Sequence, residues 1–220
     1  MIFVNFKTYP QGSGDNAVKL AVICETISEE MKVPIIPIVQ TIDVWRVTQH
    51  VHIPVWVQHI DPFEPGTHTG YTIFESVLAA GASGTLLNHS EHTIPFEQLT
   101  DTIIRIKKER HSFHTIVCVP NIEVLKNVKS FETDYLAYEP PELIGSETAS
   151  VASVHLEVIE ASVKVAGNVP VIVGAGIKSK VDVEICKNKD VKGILISSGV
   201  VKSKDPAATL REFASVFAAS

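Results

Sequence analysis

Residues 135–146, YLAYEPPELIGS, place a carboxylate directly behind a short apolar run that has the pattern of a buried strand. Pro140 and Pro141 follow Glu139, and neither can continue a central strand because proline fixes φ and has no N–H group. A residue before a proline is also driven toward an extended conformation, which applies to Glu139. In parallel-sheet proteins, the catalytic and ligand-binding residues lie at such carboxyl ends of strands. Taken alone, the stretch predicts either a functional carboxylate or a solvated glutamate before a turn.

Apolar runs of strand length recur on both sides of this stretch and alternate with segments of helical periodicity. Several runs are continuously apolar, which is typical of parallel strands buried on both faces. The predicted strands cover residues 2–6, 34–39, 54–58, 84–87, 115–119, 134–138, 170–173 and 193–196. The predicted helices cover residues 15–31, 43–49, 72–80, 95–109, 120–129, 150–165, 179–187 and 205–218. Within the third helix, Thr72 and Glu75 have the spacing of a capping box.

No linker or shift in composition divides the 220 residues, so we expect a single domain over residues 1–220. Eight strand–helix units in one domain predict a closed (β/α)8 barrel. A doubly wound open sheet is the alternative architecture.

Charge and cysteine usage narrow the class of protein. The formal net charge of −6 argues against non-specific nucleic-acid binding, so an anionic substrate needs a local positive site. Cys24, Cys118 and Cys186 are odd in number and far apart, which fits buried thiols in a reducing cytosol better than disulfides or a metal site. The first strand pattern begins at Ile2, which leaves no room for a signal peptide, and no apolar run reaches membrane-span length. We therefore expect a cytoplasmic protein without a membrane or nucleic-acid partner.

Polar side chains stand just after several predicted strands. Asn5 and Lys7 follow the first strand, His89 follows the fourth and Glu139 follows the sixth. Asn5 and Lys7 share one direction if the strand continues that far. Each residue alone has a simpler interpretation, such as a surface lysine or a capping residue. In a barrel, however, all these strand ends lie on one face, so the side chains converge there.

The loops after the last two strands are rich in small residues. They read Gly174-Ala175-Gly176 and Ser197-Ser198-Gly199. Glycine lets backbone N–H groups approach an anion closely, and a helix N-terminus adds a favourable dipole. Barrels often bind phosphate at these two loops. The loops therefore predict a phosphate site, with tight turns into helices as the alternative.

Four segments together resemble the triosephosphate isomerase family, in the short form typical of archaea. Their order and spacing span nearly the whole chain, and the combination is far more specific than any single motif. The segments are Asn5-Phe6-Lys7, Asn88-His89-Ser90-Glu91, Ala137-Tyr138-Glu139-Pro140 with Ile144-Gly145, and Ser198-Gly199-Val200-Val201.

The resemblance implies a mechanism that interconverts dihydroxyacetone phosphate and D-glyceraldehyde 3-phosphate through an enediolate. Glu139 is then the base, and a neutral His89 donates a hydrogen bond to the enediolate oxygens. Lys7 offsets the negative charge and Asn5 supports the oxygens, while Glu91 positions Lys7 or its neighbours.

The resemblance also implies how the substrate is held. Its phosphate rests near Ile144, Gly145, Gly174, Gly176, Ser197 and Ser198, with Asn5 and Lys7 also contacting the substrate, and residues 140–148 close over it. No metal or organic cofactor is implied. The expected assembly is a homo-oligomer, a tetramer rather than a dimer, with residues 62–71 at an interface.

Two other interpretations stay open. One is a different phosphate-binding barrel, of the sugar-phosphate epimerase or lyase class, which often uses a metal or a Schiff-base lysine. The other is a non-catalytic barrel, favoured by Ser146-Glu147 standing where most members of the family have Thr-Gly. His92 and Tyr71 also depart from the usual residues.

Overall fold

The structure, a computed structural model, describes residues 1–109, 112–139 and 156–218. Its eight strands are parallel, follow one another in chain order and close into a barrel where β8 pairs with β1. The predicted barrel is thus confirmed, and the open-sheet alternative is wrong. The strands are β1 Ile2–Asn5, β2 Ile35–Val39, β3 Trp56–Val57, β4 Gly84–Leu87, β5 His114–Val119, β6 Tyr135–Tyr138, β7 Val171–Val173 and β8 Gly193–Ile196.

Helices lie outside the barrel and follow the predicted positions to within a few residues. The predicted start of one helix near residue 150 lies outside the described residues. The short helix α8 was not predicted, because four residues are too few to show a periodicity. The α-helices are α1 Asp15–Met31, α2 Val44–Thr48, α3 Phe74–Ala79, α4 Phe96–Glu109, α5 Ile122–Val128, α6 Leu156–Ala166, α7 Lys180–Asn188, α8 Ser198–Val201 and α9 Pro206–Phe217.

The predicted capping box before α3 is wrong. The helix begins two residues later than expected, and its N-cap residue, Ile73, offers no side-chain hydrogen bond. The N–H group of Thr72 donates instead to Asp61 Oδ2 at 2.7 Å, and Glu75 forms an ion pair with Arg105. Both residues of the motif are engaged by tertiary contacts, which override the local pattern.

Large apolar side chains fill the inside of the barrel. The Phe3 and Trp56 rings pack there with their centroids 4.9 Å apart. Gly84 makes this packing possible, because a Cβ atom at that position would lie 2.3 Å from the Trp56 ring. The interior is therefore a packed core, so a ligand can bind only at an end of the barrel.

The three cysteines are free and buried, which confirms the expectation of buried thiols rather than disulfides. Within the described part of the chain, no helix has both the length and the apolar character needed to cross a membrane.

Candidate active site

A cavity of about 520 Å³ opens at the carboxyl ends of the strands. It brings together the side chains of Asn5, Lys7, His89 and Glu139, which the sequence analysis placed after three different strands. The loops that follow β7 and β8 also line the cavity, with Gly174, Gly176, Ser197 and Ser198 among the lining residues. The expected residues Ile144 and Gly145, and the whole segment 140–148, lie outside the described residues.

Lys7 enters the cavity from a turn rather than from a strand. Strand β1 ends at Asn5, and Lys7 has φ +48°, so the strand does not continue to Lys7 and the condition for a shared direction is not met. Such a left-handed conformation is strained for a residue with a Cβ atom and needs support from its surroundings. Asn5 Oδ1 accepts a hydrogen bond from the Lys7 N–H group at 3.0 Å, and Gln58 Nε2 donates to the Lys7 carbonyl at 3.0 Å. The side chains of Asn5 and Gln58 thus fix the turn.

The Lys7 ammonium lies 2.7 Å from Glu91 Oε1. The Lys7 side chain is 20% exposed and that of Glu91 55% exposed, so this pair contributes little to stability. Its main effect is to hold the Lys7 ammonium in one position at the cavity, where its charge acts on His89.

His89 is held as a neutral imidazole with a defined tautomer. Its Nδ1 atom lies 3.1 Å from the backbone N–H group of Glu91, which donates to it, so the ring proton resides on Nε2. Burial, followed by the charge of Lys7, lowers the pKa of His89 to about 4, and Glu91 only partly opposes this. The ring therefore presents a neutral N–H donor to the cavity at physiological pH.

Glu139 is 3% exposed, and its Oε1 atom lies 3.5 Å from His89 Nε2. Burial raises the pKa of this carboxyl group to about 7, against the opposing effects of the Cys118 thiol and Lys7. The Oε2 atom has no hydrogen-bond partner in the part of the chain that the structure describes. A carboxylate with these properties is suited to take a proton near neutral pH.

Gly174 provides the space that Glu139 occupies. A Cβ atom at this position would lie 2.6 Å from Glu139 Cγ and 2.8 Å from its Oε1. The N–H group of Gly174 donates to the Tyr138 carbonyl at 2.9 Å, so it is engaged within the sheet. The position thus admits the carboxylate side chain rather than offering a free donor.

Comparison with known proteins places this chain in a family. The family model described as triosephosphate isomerase matches residues 1–217. The chain belongs to the triosephosphate isomerase family. Curated relatives carrying the name triosephosphate isomerase support the assignment. The protein of Methanothermus fervidus is 39% identical over 216 residues, which cover 96% of both chains. That of Methanocaldococcus jannaschii is 37% identical over 96% of this chain and 97% of its own. That of Methanobrevibacter smithii is 36% identical over 98% of this chain and 97% of its own.

His92, which departs from the usual residue of the triosephosphate isomerase family, packs against another loop. Its ring lies 4.2 Å from the His59 ring, centroid to centroid, and His59 Nε2 lies 3.1 Å from Asp61 Oδ1. Asp61 in turn accepts from the Thr72 backbone, so the cluster organises the loop between β3 and α3. Among the described residues, no group of three or more His, Cys, Asp or Glu side chains could hold a metal ion.

Sequence reasoning missed several residues of this family member's cavity. Tyr9, Lys178 and Lys202 line it, and Gln58 supports the turn at Lys7. Gln58 directly follows β3. Treating the polar residue at the end of every predicted strand as a candidate site residue could therefore have suggested it. Nothing in the sequence indicated that Tyr9 and Lys202, near opposite ends of the chain, meet at the closing edge of the barrel.

Proposed function

We propose that this protein is a triosephosphate isomerase, interconverting dihydroxyacetone phosphate and D-glyceraldehyde 3-phosphate. The observation that carries the proposal is the pairing of a buried carboxylate, Glu139, with the neutral N–H donor of His89 at 3.5 Å. A separation of this length is too long for a strong hydrogen bond, so neither group is occupied by a strong bond to the other. Both are free to act on a substrate carbon and its adjacent oxygen.

Glu139 is the base in this mechanism. Its carboxylate removes a proton from the carbon next to the substrate carbonyl, and the electron pair moves to the carbonyl oxygen to form the enediolate. A proton then passes from the neighbouring hydroxyl group to the former carbonyl oxygen, so that a new carbonyl forms at the carbon that bore the hydroxyl. The carboxylic acid of Glu139 returns its own proton to the former carbonyl carbon, which completes the shift of the carbonyl. A pKa of about 7 suits both steps, because the group must give up a proton as readily as it takes one.

His89, Lys7 and Asn5 stabilise the enediolate. The Nε2–H group of His89 donates to the oxygens, and its low pKa keeps it neutral throughout. The Lys7 ammonium offsets the developing charge, and the Asn5 amide supports the oxygens while fixing the Lys7 turn. Glu91 holds Lys7 in position. One well-placed donor of this kind contributes about 10²–10³-fold to a rate.

The substrate phosphate binds on the wall formed by the loops after β7 and β8. We assign the contacts to backbone N–H groups at Gly176, Ser197 and Ser198, with Ile144 and Gly145 completing the site. The first N–H groups of a helix lack intrahelical acceptors, and α8 begins at Ser198. Gly174 was also expected to bind phosphate, but its engaged N–H group supports a role in accommodating Glu139 instead.

This reaction moves a proton and a carbonyl group within one molecule, with no net redox change, so the mechanism needs no metal or organic cofactor. A Schiff-base lyase is less well supported, because it requires a neutral amine and Lys7 is engaged as an ammonium by Glu91 at 2.7 Å. The non-catalytic alternative is less well supported because the base and its donor are both in place.

A turnover assay with glyceraldehyde 3-phosphate in the presence of a chelator tests the proposal. We expect conversion to dihydroxyacetone phosphate that is unaffected by the chelator. Loss of activity with the chelator would indicate a metal-dependent enzyme. A covalent adduct trapped by borohydride would indicate a Schiff base. No conversion at all would support the non-catalytic barrel.

We also propose a homo-oligomer, a tetramer rather than a dimer, formed by a single domain over residues 1–220. Two groups of exposed apolar side chains on different elements support this. Ile42, Trp45 and Tyr71 are 84%, 60% and 55% exposed near the contact between Thr41 and Thr72. On α4, Phe96 and Ile104 are 50% and 59% exposed. One such surface suffices for a dimer, whereas a tetramer with two-fold axes uses two.

Light scattering at micromolar concentration tests this assembly, with Trp45→Glu and Ile104→Glu as variants. We expect a tetramer for the wild type and dimers for each variant. A monomeric wild type would contradict the proposal. We further propose a cytoplasmic location, which the three free, buried thiols support because such thiols persist in reducing compartments.

A further inference from the structure

Lys202 is a cation at the cavity wall, and no carboxylate among the described residues pairs with it. It lies one residue beyond α8, is exposed and lines the cavity. Within residues 1–109, 112–139 and 156–218, no carboxylate oxygen lies within ion-pair distance of its ammonium. Lys7, in contrast, is paired with Glu91. Within the described part of the chain, Lys202 therefore adds a positive charge without a paired carboxylate, in a protein whose net charge is −6.

An aromatic ring lies beside this ammonium. Lys202 Nζ lies 5.4 Å from the centroid of the Tyr9 ring, within the range of a cation–π interaction. Tyr9 also lines the cavity, and its carbonyl accepts hydrogen bonds from Ser13 Oγ at 2.9 Å and Gly12 N–H at 2.8 Å. These bonds hold the Tyr9 backbone in the loop that carries Lys7, and the partly buried Tyr9 side chain packs against the hydrophobic core. Because an aromatic ring carries no net charge, this contact leaves the Lys202 ammonium able to attract an anion.

The surrounding wall favours an anionic ligand. Lys7, Lys178 and Lys202 all line the cavity, whereas Glu139 is the one carboxylate among the described lining residues. Glu139 belongs to the reaction centre and has a pKa raised to about 7, so it opposes the lysines only in part. The excess of positive charge lies beside the small residues Ser197, Ser198 and Gly199, from which α8 begins.

We infer that Lys202, held in place by Tyr9, is a binding residue of this site whose ammonium contacts the substrate phosphate, whereas Lys7 acts on the enediolate. This rests on the proposed function for the identity of the anion, a phosphate monoester. The phosphate carries the same charge in the bound substrate and in the enediolate. Lys202 therefore stabilises both equally, which strengthens binding without accelerating the proton transfer.

The test replaces Lys202 by methionine, which keeps the aliphatic length and removes the charge. We expect Lys202→Met to weaken the binding of inorganic phosphate and to raise KM by about fivefold at low ionic strength. The value of kcat should change by less than about twofold. The loss should shrink as potassium chloride is raised, because salt screens an exposed charge. Lys192→Met is the matched control, since Lys192 is an exposed lysine at the opposite end of β8.

The role of Tyr9 is tested by a double-mutant cycle. Tyr9→Phe keeps the aromatic face and should keep phosphate affinity, whereas Tyr9→Leu should lose part of it. In the Lys202→Met background, Tyr9→Leu should have no further effect on phosphate affinity, because the ring acts through the ammonium. A purely structural tyrosine would weaken binding equally in both backgrounds, and that result would overturn the positioning role.

Phosphate binding separates this inference from the proposed function. If phosphate binds in a Lys202-dependent manner but the wild type shows no isomerase activity, the proposed function fails and the inference stands. If the wild type isomerises but Lys202→Met binds phosphate within twofold of it at low salt, the inference fails alone. The inference also fails if the wild type binds no phosphate, or if Lys192→Met has the same effect.

Discussion

His89 Nε2 lies 3.5 Å from Glu139 Oε1, and the pKa values of these two neighbours move in opposite directions for the same physical reason. Burial disfavours the charged form of each group, so it lowers the pKa of the imidazole to about 4 and raises that of the carboxyl to about 7. Between these values both groups favour their neutral forms. The site therefore contains a donor that stays neutral and a base that is poised to exchange a proton near pH 7.

Replacing Glu139 by glutamine tests the base. The amide keeps the size of the side chain but cannot accept a proton, and general-base catalysis contributes about 10²–10⁴-fold. We expect Glu139→Gln to lower kcat by at least about 10²-fold while leaving phosphate affinity and the circular dichroism spectrum unchanged. Glu123→Gln, an exposed site on α5, is the control and should retain full activity. Turnover that survives Glu139→Gln would remove this residue from the mechanism.

The neutral donor is tested at His89. His89→Gln should lower kcat by about 10²–10³-fold, the usual effect of losing one oxyanion donor. Nitrogen NMR of the wild type should show the proton on Nε2 and no titration of this ring between pH 5.5 and 8, on the basis of its pKa of about 4. A ring that takes up a proton near pH 6.5 would show that burial does not hold it neutral.

The two pKa shifts predict opposite effects of pH on stability. The pKa of folded His89, about 4, lies below its unfolded value of 6.5, so this group destabilises the fold as pH falls from 6.5 toward 4. The pKa of folded Glu139, about 7, lies above its unfolded value of 4.5, so this group destabilises the fold as pH rises from 4.5 toward 7. Over its own pH range, each group changes the free energy of unfolding by on the order of 3 kcal/mol. The two changes have opposite signs, so they nearly cancel between pH 4.5 and 6.5.

Single substitutions should reveal this cancellation. Relative to the wild type, the free energy of unfolding of Glu139→Gln should increase as pH rises from 4.5 to 7. That of His89→Gln should increase as pH falls from 6.5 to 4. Urea denaturation in phosphate-free buffers measures both differences. Two differences that do not vary with pH would contradict the prediction.

Gly174 is predicted to control the position of the base. In Gly174→Ala, the new methyl group would lie 2.6 Å from Glu139 Cγ, so the carboxylate must move. A displacement of about 1 Å can lower a rate by about 10²-fold, and we expect a loss of kcat of that size. Gly66→Ala is the control, because its nearest new contact is 3.8 Å away. Full activity in Gly174→Ala would show that the base tolerates the methyl group.

Lys7 is predicted to act in both binding and turnover. Lys7→Ala removes a charge that is present in the ground state and in the transition state, so KM should rise and kcat should fall together. Its pair with Glu91 is partly exposed, so the free energy of unfolding should change by less than about 1 kcal/mol. Lys19→Ala, an exposed site on α1, is the control. A change in KM alone would limit Lys7 to substrate binding.

The sequence determined the barrel because its signals are local and repeated. Apolar runs such as residues 115–119 can be buried strands whatever their neighbours, and eight of them alternating with helical segments leave few topologies. It also placed His89 and Glu139 correctly, since a polar residue after a parallel strand must lie at the carboxyl end of the sheet.

Only the tertiary structure decided how these residues behave. The turn at Lys7 depends on the Gln58 side chain, and the fit of Glu139 depends on the missing Cβ atom of Gly174. The pKa values of His89 and Glu139 depend on burial by segments distant in sequence. Desolvation and steric room are properties of a packed volume rather than of neighbours along the chain, so no local pattern could have specified them.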